Sequence, residues 1–263
     1  MHRLGVAEWS ITDCRSEVIK SARTAGFDFL HLSFGDHGRP DCLDNSSFRM
    51  DLLRDTKKYG VEITVVAVNC VEKIGFESSR ALQMCCQIML DAIDAADELG
   101  AGMVYFPSFH LTEIRGPGEL DITLEILRRA GVHAERRGLL IGTENTLNAD
   151  ACRALLEDVK TDRLKLLLDV FNPVLFGHDV QEIIKINSER IFDDIHVKDG
   201  DLNSGKLVPV GSGDGKVANT IKTLERLGRK FTYILEGDYL GKHGVERAEK
   251  DRNKVLEILN GSG

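Results

Sequence analysis

Four side chains of the kinds that hold divalent cations recur along the second half of the chain: Glu144 in "IGTEN", Asp169 in "LLLDVFNP", His196 in "DIHVKDG" and Glu236 in "YILEGDY". Each closes a short apolar run that reads as a strand, so four successive strand candidates end in a ligand type. Any one of them has an ordinary explanation. A strand-end Glu is often solvated, an Asp before a turn often caps the next segment, and a lone His is commonly a satisfied structural residue. All four in one register are much harder to assign to chance. Three carboxylates gathered beside one imidazole repel one another or stay poorly solvated unless a cation joins them. Oxygen-rich coordination with a single imidazole suits one divalent ion, Mn²⁺ first with Mg²⁺ or Co²⁺ as alternatives, and lacks the thiolates of a structural zinc site. A ligand role also explains why "IFDDIH" ends on a polar ring. Strand parity makes Asp194 the acid that orients that ring.

The elements that must position these groups follow a regular alternation. Strand candidates fall at Leu4 to Trp9, Phe27 to Phe34, Val61 to Val68, Met103 to Phe109, Leu139 to Asn145, Leu164 to Asp169, Ile191 to Val197 and Phe231 to Glu236, each followed by a helical pattern. In the third helix Leu82, Cys86, Met89, Ile93 and Ala96 repeat at spacings of three and four, which gives one face to pack on a sheet. Gly26, Gly60, Gly100, Gly138 and Gly228 each stand where a helix stops, and each is able to take the left-handed conformation. Continuous apolar strands such as "LKLLL" and "EITVVAV" read as strands covered on both faces, as in a parallel sheet. Eight βα units in about 250 residues match a closed (β/α)₈ TIM barrel, an α/β fold whose active sites lie at the C-terminal strand ends. A doubly wound open sheet is the runner-up, but "AEWSITD" after the first strand is no Gly-rich dinucleotide turn. One barrel domain spans residues 1–263, with 260–263 expected as a frayed or appended tail.

Composition narrows the partners. A formal charge of −8 and a pI near 5.5 argue against nucleic acid or an anionic membrane surface and favour a small polar substrate. Cys14, Cys42, Cys70, Cys85, Cys86 and Cys152 show no CxxC spacing, and the N-terminus carries no apolar signal segment. With no apolar run of about 18 residues there is no membrane span. The chain reads as cytoplasmic and reduced.

Taken together, "GTEN", "LDVFN", "HVKDG" followed by "VPVGSGDG", and "LEGD" resemble the sugar phosphate isomerase/epimerase family with the xylose-isomerase-like barrel, over nearly the whole length. The resemblance implies one catalytic divalent metal held by Glu144, Asp169, His196 and Glu236. It also implies that Glu144 and Glu236 act as an acid/base pair on opposite faces of the substrate. The expected reaction is proton transfer next to a carbonyl through an enediolate. It gives epimerisation when the same carbon is reprotonated from the far side, and aldose-ketose isomerisation when the neighbouring carbon is reprotonated. A sugar or sugar phosphate is the expected partner, and a homodimer is the common arrangement for such barrels.

Further pocket candidates follow. Asn172 matches a position where relatives carry His or Asn, yet it also sets an Asn-Pro turn with Pro173. Asp150 matches an acidic substrate-binding position of some ketose epimerases but sits where a helix N-cap is expected, and the cap reading is favoured. Lys198 is near enough to His196 to reach the pocket mouth and an anionic group. "GSGDG", Gly211 to Gly215, lies where barrels often bind phosphate through backbone N–H groups. Glu8 and Trp9 end the first strand, with Trp9 as a wall for a sugar face, and Phe106, Phe109 and His110 end the fourth. His31, His37, His133, His178 and His243 read as surface or structural.

Three other activities compete. An inosose dehydratase-like lyase shares the first half of the chemistry. An abasic-site endonuclease needs a histidine-rich three-metal cluster, which Asn172 and the acidic charge oppose. A non-catalytic sugar-binding protein has no use for two opposed carboxylates.

Overall fold

The computed structural model describes residues 3–261. Eight parallel strands form its sheet: β1 (Leu4–Ala7), β2 (Phe29–Ser33), β3 (Glu62–Ala67), β4 (Met103–Ser108), β5 (Leu140–Asn145), β6 (Leu164–Leu166), β7 (Asp194–Val197) and, after a small antiparallel hairpin of β8 (Asp199–Asp201) and β9 (Lys206–Val208), β10 (Thr232–Leu235). The sheet order is β6-β5-β4-β3-β2-β1-β10-β7. Its two ends meet, because Leu166 bridges Ile191 and Asp169 bridges His196 in parallel. Main-chain bonds seal the seam, with His196 N donating to Leu168 O at 2.9 Å and Val170 N to His196 O at 3.0 Å. The result is the TIM barrel expected from the alternation.

Among the described residues ten α-helices surround it: α1 (Glu8–Ile11), α2 (Val18–Thr24), α3 (Ser46–Tyr59), α4 (Ser79–Leu99), α5 (Pro117–Glu135), α6 (Ala149–Asp158), α7 (Asn172–Leu175), α8 (Val180–Asn187), α9 (Val217–Glu225) and α10 (Gly244–Asn260). The predicted stripe on α4 is the buried one, since Cys86, Met89, Ile93 and Ala96 all lie in the core and Leu82 packs against it. Gly60 and Gly100 end α3 and α4 in the left-handed conformation, at φ 66° and 75°. Gly26, Gly138 and Gly228 also have positive φ. A side chain at these helix ends would be strained, so each glycine turns the chain from helix back toward the next strand.

The structure corrects several boundaries. Glu8 and Trp9 open α1 instead of ending β1. Asp169 and Glu236 lie just past the regular strands but stay tied to β7, Asp169 through its bridge to His196 and Glu236 N through its bond to Val197 O at 2.9 Å. The β8–β9 hairpin was not anticipated, because "KDGDLNSGKLV" carries no apolar alternation. Asn260 belongs to α10 and not to a tail, Gly261 follows it as a turn, and Ser262 and Gly263 lie outside the described residues. The six cysteines are free thiols, and all but Cys14 are buried. No helix among the described residues is long and apolar enough to cross a membrane.

Candidate metal centre and substrate pocket

The four groups singled out at strand ends converge. One ligand atom from each of Glu144, Asp169, His196 and Glu236 lies within 4.8 Å of the other three. The imidazole Nδ1 of His196 is 3.4 Å from Glu236 Oε2 and 3.7 Å from Glu144 Oε1. Two of these atoms, Asp169 Oδ2 and His196 Nδ1, are buried without a hydrogen bond. Asp169 Oδ2 has the Lys198 ammonium 3.2 Å away but no hydrogen bond, and buried oxygens and nitrogens that face one point are what a cation satisfies. Three carboxylates and one ammonium, that of Lys198, leave a formal charge of −2 once the imidazole has given up its proton, as a ligand must. One divalent ion cancels that charge, so the donor set could hold one.

Hydrogen bonds from neighbouring groups orient each carboxylate. Asp169 Oδ1 accepts from the main-chain N of Phe171 at 2.7 Å and of Asn172 at 2.6 Å, so its other oxygen is turned inward. Asn172 Nδ2 donates to Glu144 Oε1 at 2.9 Å. Trp9 Nε1 donates to Glu236 Oε1 at 2.7 Å, and Lys198 Nζ donates to Glu236 Oε2 at 2.7 Å while lying 3.2 Å from Asp169 Oδ2. Lys198 is therefore inside the cluster, not solvated at its mouth.

Charge coupling sets the protonation pattern. Burial alone would raise the Glu236 carboxyl, but Lys198 and His196 hold it well below the usual carboxylate range. Burial pushes Asp169 up to about 6, with Lys198 opposing and the charges of Glu236 and Glu144 adding. Burial would lower His196, yet Glu236 and Glu144 together carry it up to about 10. Lys198 is held above its ordinary value by Asp169, Glu236 and Glu144 despite its burial.

A cavity of about 520 Å³ opens above these residues, lined by Trp9, Phe109, Asn172, Lys198, Glu144 and Glu236 among others. This is ample for a sugar or its phosphate. His110 stands at its exposed rim, 3.7 Å from Glu72 Oε2. Glu72, which also lines the cavity, was not identified from the sequence. It follows β3 in a short 3₁₀ turn, and burial together with Glu144 and Glu236 pushes its carboxyl up to about 7. Among the aromatic candidates, Phe109 lines the cavity, whereas Phe106 is fully buried and stacks on Phe76. A surface hollow of about 610 Å³ beside α6 and α8, lined by Arg153, Glu157 and Arg190, gathers none of these groups.

Some expectations do not survive. Glu8 is buried away from the cavity, paired with Arg15 and accepting from Ser33 N at 2.7 Å, so it holds β1 to β2. Asp150 is exposed on α6, and the cap of that helix is Asn148, whose side chain accepts from Ala151 N. The Gly-rich turn is already filled. Asp199, 1% exposed, accepts from Gly200 N, Gly211 N, Gly213 N and Gly215 N at 2.9–3.0 Å. A Cβ at Gly215 would come within 2.8 Å of Asp199 Oδ1, so the chain wraps this carboxylate closely. The N–H groups that would cradle a phosphate serve an internal anion instead.

Of the histidines read as surface or structural, His31 is structural: it is fully buried, with Nδ1 2.9 Å from His196 Nε2 and Nε2 3.0 Å from Asp194 Oδ2. Asp194 thus reaches His196 only through His31. Burial lowers the His31 pKa, and bonds from His31, Thr64 and Thr232 hold Asp194 below the usual carboxylate range against the effect of its burial. The other four of that group, His37, His133, His178 and His243, are peripheral. His37, His133 and His243 pair with surface acids, and His178 lies 2.9 Å from Thr146 O.

A sequence profile described as xylose isomerase-like TIM barrel matches residues 19–257. The chain belongs to this family. It is 31% identical over 244 residues to a 2-epi-5-epi-valiolone 7-phosphate 2-epimerase of Actinoplanes sp., covering 92% of this chain and 90% of the relative. It is 24% identical over 247 residues to an L-ribulose-5-phosphate 3-epimerase of Salmonella paratyphi A, covering 89% and 86%. Among solved structures, the 3-keto-D-glucoside 4-epimerase of E. coli superposes with a TM-score of 0.79 over 98% of this chain and all of that one, at 14% identity. That last likeness concerns the fold.

Proposed function

We propose that this protein is a divalent-metal-dependent epimerase of a sugar or sugar phosphate, working by proton transfer at a carbon next to a carbonyl. The observation that carries the proposal is the convergence of three carboxylates and one imidazole within 4.8 Å, two of their atoms buried without a hydrogen bond. Relatives named as sugar-phosphate epimerases that match this chain almost end to end support it. Glu144, Asp169, His196 and Glu236 would hold the ion, with Mn²⁺ as the first choice on donor chemistry. When bound, such an ion supplies Lewis acidity that acidifies the C–H bond and offsets the developing oxyanion charge.

The chain's own groups do the rest. Glu236, kept ionised by Lys198 and His196, is a base aimed by two donors, Trp9 Nε1 and Lys198 Nζ. Glu144, aimed by Asn172, takes up a proton from solvent and returns it from the other face, while Glu236 keeps the one it removed. Separate anchoring matters because epimerisation needs two groups that do not move into each other's place. Trp9 and Phe109 give the cavity apolar walls that shed water around the reacting carbon.

The test is NMR of candidate ketoses and their phosphates in D₂O with Mn²⁺-loaded protein. Solvent deuterium entering the carbon next to the carbonyl, with appearance of the epimer, is the expected result. Loss of water without returned deuterium would assign a dehydratase instead. Binding with neither would leave a sugar-binding protein.

A further inference from the structure

His31 takes no part in the proton transfer above, yet it is the partner of the one imidazole in the cluster. It lies on β2 and His196 on β7, with β1 and β10 between them in the sheet, so their contact crosses the barrel interior. The chain of bonds beyond it has one consistent set of protons. Asp194 Oδ2 takes Thr64 Oγ1–H at 2.8 Å and faces His31 Nε2 at 3.0 Å. An ionised carboxylate only accepts, so the His31 proton is on Nε2. A neutral ring then presents a lone pair at Nδ1, which accepts from His196 Nε2–H at 2.9 Å. The other nitrogen of His196, Nδ1, is the one left facing Glu144 and Glu236.

We propose that His31 is a positioning residue that, backed by Asp194 and Thr64, holds the His196 ring with its proton on Nε2 and its Nδ1 free for a divalent ion. This rests on reading the cluster as a metal centre. Metal-bound imidazoles usually lean directly on a carboxylate or carbonyl. Here a second histidine extends that support across the barrel, so a group on β2 governs a ligand on β7.

Two variants of the full chain separate positioning from bulk packing. His31→Leu removes the acceptor, whereas His31→Asn keeps an acceptor oxygen close to the place of Nδ1. Calorimetric titration with Mn²⁺ is expected to show binding weakened roughly 10- to 100-fold in His31→Leu and largely restored in His31→Asn. Equal loss in both variants, or no loss in either, overturns the proposal. A merely structural role would lower the melting temperature of the chelator-treated variants without separating their Mn²⁺ affinities. Long-range ¹H–¹⁵N NMR of ¹⁵N-histidine-labelled protein, with chelator and with Mg²⁺, is expected to find the His31 proton on Nε2, and a proton on Nδ1 sinks the idea. Should the unaltered protein bind no Mn²⁺, the metal reading fails, and the His31 NMR result alone then decides whether the bond chain is as described.

Discussion

Replacing Asp199 tests how the loop after β7 is built. Its carboxylate accepts four main-chain N–H groups, from Gly200 and Gly215 at Oδ1 and from Gly211 and Gly213 at Oδ2. Hydrogen bonds to a charged acceptor contribute about 1.5–3 kcal/mol each. Gly211 is exposed and Gly213 half-buried, so water recovers much of their loss, whereas Gly200 and Gly215 are buried and stay unpaired. Counting those two gives about 3–6 kcal/mol for Asp199→Ala. Asp199→Asn keeps one acceptor oxygen for the buried pair and should lose roughly half as much. At about 2–4 °C per kcal/mol for a chain of this size, the alanine variant should melt at least about 6 °C lower, with the asparagine variant between it and the parent. Differential scanning calorimetry reads this order. In parallel, inorganic phosphate added to the unaltered protein should leave the amide resonances of Gly211, Gly213 and Gly215 in place. An alanine variant as stable as the parent, or phosphate-induced shifts at those amides, would refute the internal-anion account and return the turn to the substrate.

Two further outcomes follow from the charge pattern. The carboxylates that carry His196 up to about 10 keep it protonated at neutral pH, and an ion bound at Nδ1 must displace that proton. Mn²⁺ binding should therefore release about one proton near pH 7, and its affinity should rise about tenfold per pH unit, as calorimetry in buffers of different ionisation heat would show. Binding without proton release would place the ion elsewhere. Glu72, pushed up to about 7 from an ordinary 4.5, holds its proton more tightly folded than unfolded. Its stabilising contribution is complete below the lower value and is lost as pH rises through the upper one. In chelator-treated protein, Glu72→Gln should gain stability over the parent across that window, by at most about 3 kcal/mol in denaturant titrations. An unchanged pH dependence would show that Glu72 is not desolvated.

The barrel was legible because its cues are local: apolar runs, one helical face and helix-ending glycines recur with every unit. The four ligand types were legible for a related reason. Strand ends on one rim of a barrel must converge, so four polar strand ends in register predict a cluster before any distance is known. Residues that depend on where the backbone goes next were harder to place. Glu8 stands one residue past β1 and was assigned to the cavity, but α1 begins there and carries it to Arg15. Asp150 was separated from its expected cap by two positions, because Asn148 takes that place.

His31 shows why a buried relay escapes this kind of reading. Its neighbours in the chain, "FLHLS", give an apolar strand with one polar ring, which fits a satisfied core histidine as well as a functional one. What distinguishes the two is the identity of its partners, and these lie 163 and 165 residues away on another strand. Parity within β7 correctly directed Asp194 and His196 to the same side, two residues apart, but side chains so spaced are separated by roughly 7 Å along a strand. A carboxylate cannot reach an imidazole across that gap with a single hydrogen bond. A third group must fill it, and the interior of a closed barrel supplies one from a different strand. A polar pair at i, i+2 on the inner face of a barrel strand thus calls for a search of the inward positions of the other strands for a bridging group.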